Sequence, residues 1–185
     1  MENIFMTKYV ALIRGITPSN PEMRNEKLRA VFEGLGYKNV KTVISSGNVI
    51  FETELENVNE LESTIEKALY KQLNFKRTTI VFSKDDLHSI VSENPFKDLE
   101  DTSQCKLNVT FLKNKPITKV KFPYHGKNNG FTILGIYNRA ITSMVDLSKG
   151  RTPDLMRWMD KEFGKDLTTR TWKTVQKIMK VFDNY

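Results

Sequence analysis

Residues 40–53 read Val40-Lys41-Thr42-Val43-Ile44-Ser45-Ser46-Gly47-Asn48-Val49-Ile50-Phe51-Glu52-Thr53. Two runs rich in β-branched and aromatic residues, 40–45 and 48–53, flank Ser46-Gly47, whose chemistry suits a tight hairpin turn. Upstream, Tyr9-Val10-Ala11-Leu12-Ile13 is a continuous apolar run, which predicts a strand buried on both faces. Pro18 and Pro21 then mark a loop. Leu28, Val31, Phe32 and Leu35 fall on one helical face, and Gly36 supplies its stop. Downstream, Asn57 and Glu60 form a capping-box pair before an apolar stripe through Val58, Leu61, Ile65, Ala68 and Leu69. Residues 79–82 read as a strand, and Ser83 with Asp86 as a second capping box opening a short helix. The order is β-α-β-β-α-β, the split βαβ of ferredoxin-like folds. That arrangement covers one sheet face with helices and leaves the other for a partner.

The rest of the chain supplies further elements. Residues 94–104 are polar and read as a connector. Leu107, Val109 and Phe111 alternate as a strand, with 117–122 as a possible second, and 123–130 as a loop. Residues 131–137 and 140–146 read as a hairpin turning at Asn138-Arg139. Two helices close the chain. One starts near Thr152-Pro153-Asp154. The other follows Thr168 or Thr169, with Trp172, Val175, Ile178, Met179 and Phe182 inward. The predicted class is α+β: a ferredoxin-like unit over 1–92, a connector over 93–106, and a smaller α+β unit over 107–185 packed against the first.

The chain has 185 residues, 39% hydrophobic and 28% charged, as in ordinary globular proteins. Its single cysteine, Cys105, forms no internal disulfide and suits a reducing compartment. The apolar runs are too short to span a bilayer, and residues 1–14 lack a signal-peptide pattern. Met6 is an alternative start. The expectation is a cytoplasmic protein with no membrane attachment and no cofactor. Its oligomeric state is open.

Charge is uneven. Residues 1–105 hold 13 Lys and Arg against 16 Asp and Glu, a net of −3, and residues 106–185 hold 16 against 6, a net of +10. A basic half of this kind fits nucleic acid or a small anionic ligand, though packing or solubility would also account for it.

Three segments together are similar to a known family: Tyr-Val-Ala-Leu-Ile-Arg-Gly-Ile at 9–16, Val-Ile-Ser-Ser-Gly-Asn-Val-Ile-Phe at 43–51 and Thr-Thr-Arg-Thr-Trp-Lys-Thr-Val at 168–175. The chain resembles the bacterial domain-of-unknown-function family 1697 over nearly its whole length. The resemblance implies a two-part α+β fold built from ferredoxin-like units, and no activity. Family members often follow the first Arg-Gly with a glycine-rich basic loop. Here residues 16–22 are Ile-Thr-Pro-Ser-Asn-Pro-Glu, which lacks the glycines for a phosphate cradle.

Motifs for catalysis are missing. His88, His125 and Cys105 have no metal-ligand spacing. Gly34-Leu35-Gly36 ends a helix and so is not a dinucleotide fingerprint. Ser45 and Ser46 sit in no nucleophile elbow. Lys106 beside Cys105 is placed to lower the thiol's pKa, but the expected reading is a passive cysteine. The candidate anion-binding residues are Lys149 and Arg151 before the first C-terminal helix, and Arg170, Lys173, Lys177 and Lys180 along the second. Arg14, Ser46, Asn48 and Thr174 lie within the family-like segments. Trp172 falls in phase with the core stripe. Tyr9 and Phe51 are the only aromatics placed like the base-stacking pair of RNA-recognition modules. The leading reading is a non-catalytic binder of nucleic acid or a phosphorylated ligand. The alternatives are a small enzyme using Arg14, Ser46, Asn48, Arg170 and Thr174 on an anionic metabolite, or a structural protein.

Overall fold

Strand β1, Thr7–Ile13, carries the apolar run, and Val10 to Ile13 are wholly buried, as a strand covered on both faces requires. The structure is a computed structural model and describes residues 5–184. Its contacts define two compact units. One runs up to His88 and takes in the chain from Lys177 on, and the other is Ser89–Gln176.

In the first unit, β1 is followed by a 3-10 turn, Pro21–Met23, and helix α1, Asn25–Gly34. Strands β2, Lys38–Thr42, and β3, Asn48–Thr53, precede helix α2, Val58–Leu73. Strand β4, Thr79–Ser83, leads into α3, Lys84–Ser92. The sheet order is β2-β3-β1-β4 with every neighbour antiparallel. Hence β1 and β2 are parallel with β3 between them, which is the split βαβ pattern. The capping signals act as their chemistry dictates. Asn57 Oδ1 accepts from Glu60 N at 3.2 Å, and Ser83 Oγ accepts from Asp86 N at 3.1 Å. Tyr9, Ile13, Val49, Phe51 and Val81 pack with Leu28, Phe32, Leu61 and Ile65 of the two helices.

The turn between β2 and β3 is wider than Ser46-Gly47. Pairing ends at Thr42↔Val49, and Val43 N donates to Asn48 O at 2.9 Å. The Asn48 amide also reaches Val43 O and Ser46 Oγ, each at 2.9 Å. A side chain therefore closes this loop, where a two-residue turn would use backbone alone. Ile44 (φ 59°) and Gly47 (φ 76°) take left-handed conformations within it.

The second unit is built on β5, Cys105–Leu112, flanked by β8, Ala140–Asp146, and β9, Leu167–Thr171. Strands β7, Phe131–Tyr137, and β6, Tyr124–His125, complete the order β6-β7-β8-β5-β9. Helix α4, Thr152–Phe163, lays Leu155 and Met159 on Ile133, Ile141, Val145 and Leu167. Helix α5, Trp172–Asp183, starts in this unit, and its residues from Lys177 on belong to the first. The β7–β8 hairpin turns at Asn138-Arg139 as predicted, with Asn138 left-handed.

Three expectations for this unit are corrected. Residues 117–122 are not a strand, and Ile117 is 98% exposed. Ile117 and Val120 are three residues apart, so a strand would point them to opposite faces. Residues 123–130 are not a plain loop but hold β6 and a 3-10 turn, Lys127–Asn129. Thr168 and Thr169 do not cap the last helix. They pair with Phe111 and Thr110 in edge strand β9, and Thr171 Oγ1 accepts from Thr174 N at 3.3 Å at the helix start.

Candidate functional site

From Lys106 to Val145 the chain contains Lys106, Lys113, Lys115, Lys119, Lys121, Lys127 and Arg139 and no acid. Lys115, Lys119, Lys121 and Lys127 are exposed. The irregular segment that carries most of them is anchored where Lys113 N donates to Asp166 O at 2.9 Å and Thr118 Oγ1 donates to Glu162 Oε1 at 2.7 Å. Phe122 packs on the core of this unit.

This segment leads into a cavity of about 390 Å³ at the start of α4. Tyr124, Phe131 and Trp158 line it together with Lys127, Lys149, Arg157 and Asp154. Tyr124 stacks on Trp158 with centroids 4.8 Å apart, and Phe131 lies 6.0 Å from Trp158. Two glycines let the walls meet. A Cβ on Gly130 would sit 2.7 Å from Gly150 Cα, and one on Gly150 would sit 2.6 Å from Gly130 Cα. The two backbones cross at a distance that no side chain allows.

Acids already tune these cations. Asp146 accepts from Ser148 Oγ at 2.6 Å and from Ser148 N at 3.0 Å, and pairs with Lys149 at 3.2 Å. Those hydrogen bonds, the Ser148 hydroxyl foremost, hold the Asp146 carboxyl below its ordinary range. Asp154 accepts from Arg151 N at 3.1 Å and pairs with Arg157. It thus occupies the positive end of α4 where an external anion would also sit.

The residues singled out from the sequence divide between the units. In the first, Arg14 follows β1, and its N–H donates to Thr78 O at 2.9 Å. Ser46 and Asn48 hold the β2–β3 loop. Lys177 and Lys180 are exposed on α5. In the second, Lys149 and Arg151 stand at the cavity and the α4 start. Lys173 pairs with Asp101 at 3.3 Å, and Asp101 also pairs with Lys106 at 3.4 Å. Thr174 Oγ1 lies 3.0 Å from Thr171 Oγ1. Arg170 is only 9% exposed, and its guanidinium donates to Thr168 Oγ1 at 2.7 Å and to Thr169 O at 3.0 Å. Burial brings its pKa down to about 10.

Other sequence expectations settle as follows. Tyr9 and Phe51 stack on each other at 5.7 Å inside the first core, so they offer no base platform. Trp172 packs on Phe96 at 5.0 Å. His125 Nδ1 lies 3.1 Å from Thr132 Oγ1. The Cys105 thiol is pushed up, by burial first and then by Asp101 and Asp146. The lowering by Lys106 is the smallest contribution, in line with the passive cysteine expected from the sequence. The cavity itself was missed because residues 123–130 read as a loop. The signal for it was the acid-free run of lysines leading to Tyr124.

The family model described as "Protein of unknown function (DUF1697)" matches residues 6–129, two thirds of the chain. The chain belongs to the DUF1697 family. The match takes in β1, the β2–β3 loop, the lysine segment and the Tyr124–Lys127 side of the cavity. The α4 side lies beyond it. Among solved structures, a conserved bacterial protein from Streptococcus pneumoniae aligns with a TM-score of 0.68 at 18% identity, covering 97% of this chain and 99% of that one. At this identity the likeness shows a shared fold for this DUF1697 member. No curated protein matches it. Among the described residues no helix is long and apolar enough to cross a membrane, and no group of three or more His, Cys, Asp or Glu could hold a metal ion.

Proposed function

We propose that this DUF1697 protein binds an anionic partner, nucleic acid or a phosphorylated ligand, through its basic C-terminal half, without catalysing a reaction on it. The observation that carries this reading is the acid-free run from Lys106 to Val145, whose exposed lysines lead to the cavity at the start of α4. Exposed cations attract phosphates at long range and release counterions on contact. The acids at the cavity serve structure: Asp154 caps α4, and Asp146 holds Ser148 and Lys149. A binding role therefore accounts for the site without a general base.

Fluorescence anisotropy with labelled single-stranded RNA, single-stranded DNA and duplex DNA at two salt concentrations tests it. The expected result is micromolar or tighter binding to at least one of them that weakens steeply with salt, with a log–log slope of about −0.7 per phosphate contacted on a single strand. Binding that is indifferent to salt, or no binding at low salt, would sink the nucleic-acid form. Inorganic polyphosphate as competitor then decides whether any polyanion is held.

A further inference from the structure

Within that reading, which this inference presupposes, we infer that the cavity at the start of α4 receives one nucleotide of a single-stranded nucleic acid. Its base lies on the Trp158–Tyr124 wall, and its neighbouring phosphates follow Lys127, Lys121 and Lys119. The reasoning starts from what the walls are made of. Phe131 is a core residue, and Tyr124 and Trp158 pack on that core while remaining half-buried at the cavity. Here Tyr124 and Trp158, with the buried Phe131 behind them, line the same cavity as Lys127, Lys149 and Arg157, and Asp154 is the one acid among them, which suits a ligand that carries both a flat π face and negative charge. The volume of about 390 Å³ lies within the range of about 300–1,000 Å³ usual for small-molecule sites.

The walls are also held in place. Trp158 sits on a helix whose Leu155 and Met159 are wholly buried. Phe131 is set by β7, and a Cβ on Gly126 would lie 2.3 Å from its ring. Gly130 and Gly150, packed backbone against backbone, also line the cavity. A pre-formed site of this kind loses little side-chain freedom on binding.

The lysines give the partner its length. Lys119 and Lys121 lie within five residues of Tyr124 on an anchored segment, so a strand with one base in the cavity passes them with its phosphates. A duplex keeps its bases stacked inside and cannot present one to the wall without unpairing it. Single strands are therefore preferred, with little discrimination between bases, because every base has a π face.

The test compares four probes on the intact protein: a thymidine decamer, a ten-residue abasic strand of equal charge, a ten-base-pair duplex, and thymidine monophosphate. A Trp172→Phe variant leaves Trp158 as the sole tryptophan and reports on the wall by its emission. The expected result is decamer affinity at least about tenfold above that of the abasic strand and the duplex, with Trp158 emission quenched by the decamer and not by the abasic strand. Equal affinity for decamer and abasic strand would overturn the inference while leaving the anionic reading intact. Failure of every polyanion, inorganic polyphosphate included, would remove both. Thymidine monophosphate bound as tightly as the decamer would overturn the single-strand part. The affinity ratio on the unmodified protein decides the outcome even where the Trp172→Phe variant does not fold.

Discussion

Glu62 Oε1 accepts the backbone N–H of Val81 at 2.9 Å, and one turn further along α2, Glu66 Oε1 accepts that of Thr79 at 2.8 Å. Four residues of helix rise about 6 Å, and two residues of strand rise about 6.6 Å. The two carboxylates therefore match alternate amides of β4. That strand is at the sheet edge, where outward N–H groups would otherwise pair with another chain. Glu62 is wholly buried. Replacing Glu62 with Ala orphans the Val81 amide and is expected to cost about 2–3 kcal/mol, because the lost bond is to a charged or strongly polar group. Glu62→Gln keeps an acceptor and is expected to cost less. Urea denaturation of the two variants gives the comparison. Equal losses would mean that packing, not the amide bond, is what Glu62 supplies.

Arg170 is expected to govern stability and not ligand affinity. Its guanidinium is buried on Thr168 Oγ1 and Thr169 O, so Arg170→Ala should lower stability by about 2–3 kcal/mol. Arg170→Lys should recover little, since an ammonium lacks the planar fork. Polyanion affinity of the folded Arg170→Lys protein should stay within about twofold of the parent. A large affinity loss in a variant of unchanged stability would place Arg170 in the binding site after all.

Asp154 opposes any anion that enters the cavity. Asp154→Asn keeps a side-chain oxygen that can accept from Arg151 N and removes one negative charge from the end of α4. A surface charge at a helix terminus is worth about 0.3–1 kcal/mol, so polyanion affinity should rise about two- to fivefold at low salt. The gain should shrink as salt is added. Anisotropy at two ionic strengths measures it, and unchanged affinity would show that the ligand does not approach the start of α4.

Gly130→Ala is expected to close the site. Its Cβ would meet Gly150 Cα at 2.7 Å, and both partners are backbone, so the two segments must separate. A cost of about 1–3 kcal/mol is expected from overpacking, with loss of the Trp158 response to nucleic acid. Gly36→Ala is the control, because a Cβ there meets nothing within 4 Å although its φ of +83° is strained. It should lower stability without touching the Trp158 response.

Cys105 should be a slow nucleophile. Burial, Asp101 and Asp146 all disfavour its thiolate, so at pH 8 it carries less thiolate than a free cysteine. Alkylation by iodoacetamide should therefore be slower than for a small thiol and keep rising with pH past the point where the small thiol levels off. Rates equal to those of a free thiol would contradict the expected shift.

Periodicity and capping chemistry alone placed β1, the β2–β3 pair and α2 in the first unit, because each is decided by near neighbours. Apolar residues at spacing two or three to four, an Asn three residues before a Glu, and a turn glycine are local facts. The β7–β8 hairpin was legible for the same reason. The uneven charge and the lysine-rich segment are also properties of the sequence alone. Only the tertiary structure decided which acids some of those cations meet. Lys149 and Lys173 read as ligand groups until Asp146 and Asp101 are seen beside them, and Arg170 until β9 turns it inward. The structure also converted residues 123–130 from a loop into one wall of a cavity, by bringing Gly130 against Gly150 and Tyr124 against Trp158. These pairs are 20 and 34 residues apart in sequence. No local pattern carries their contact, because it depends on strand pairing and on how α4 packs against the sheet.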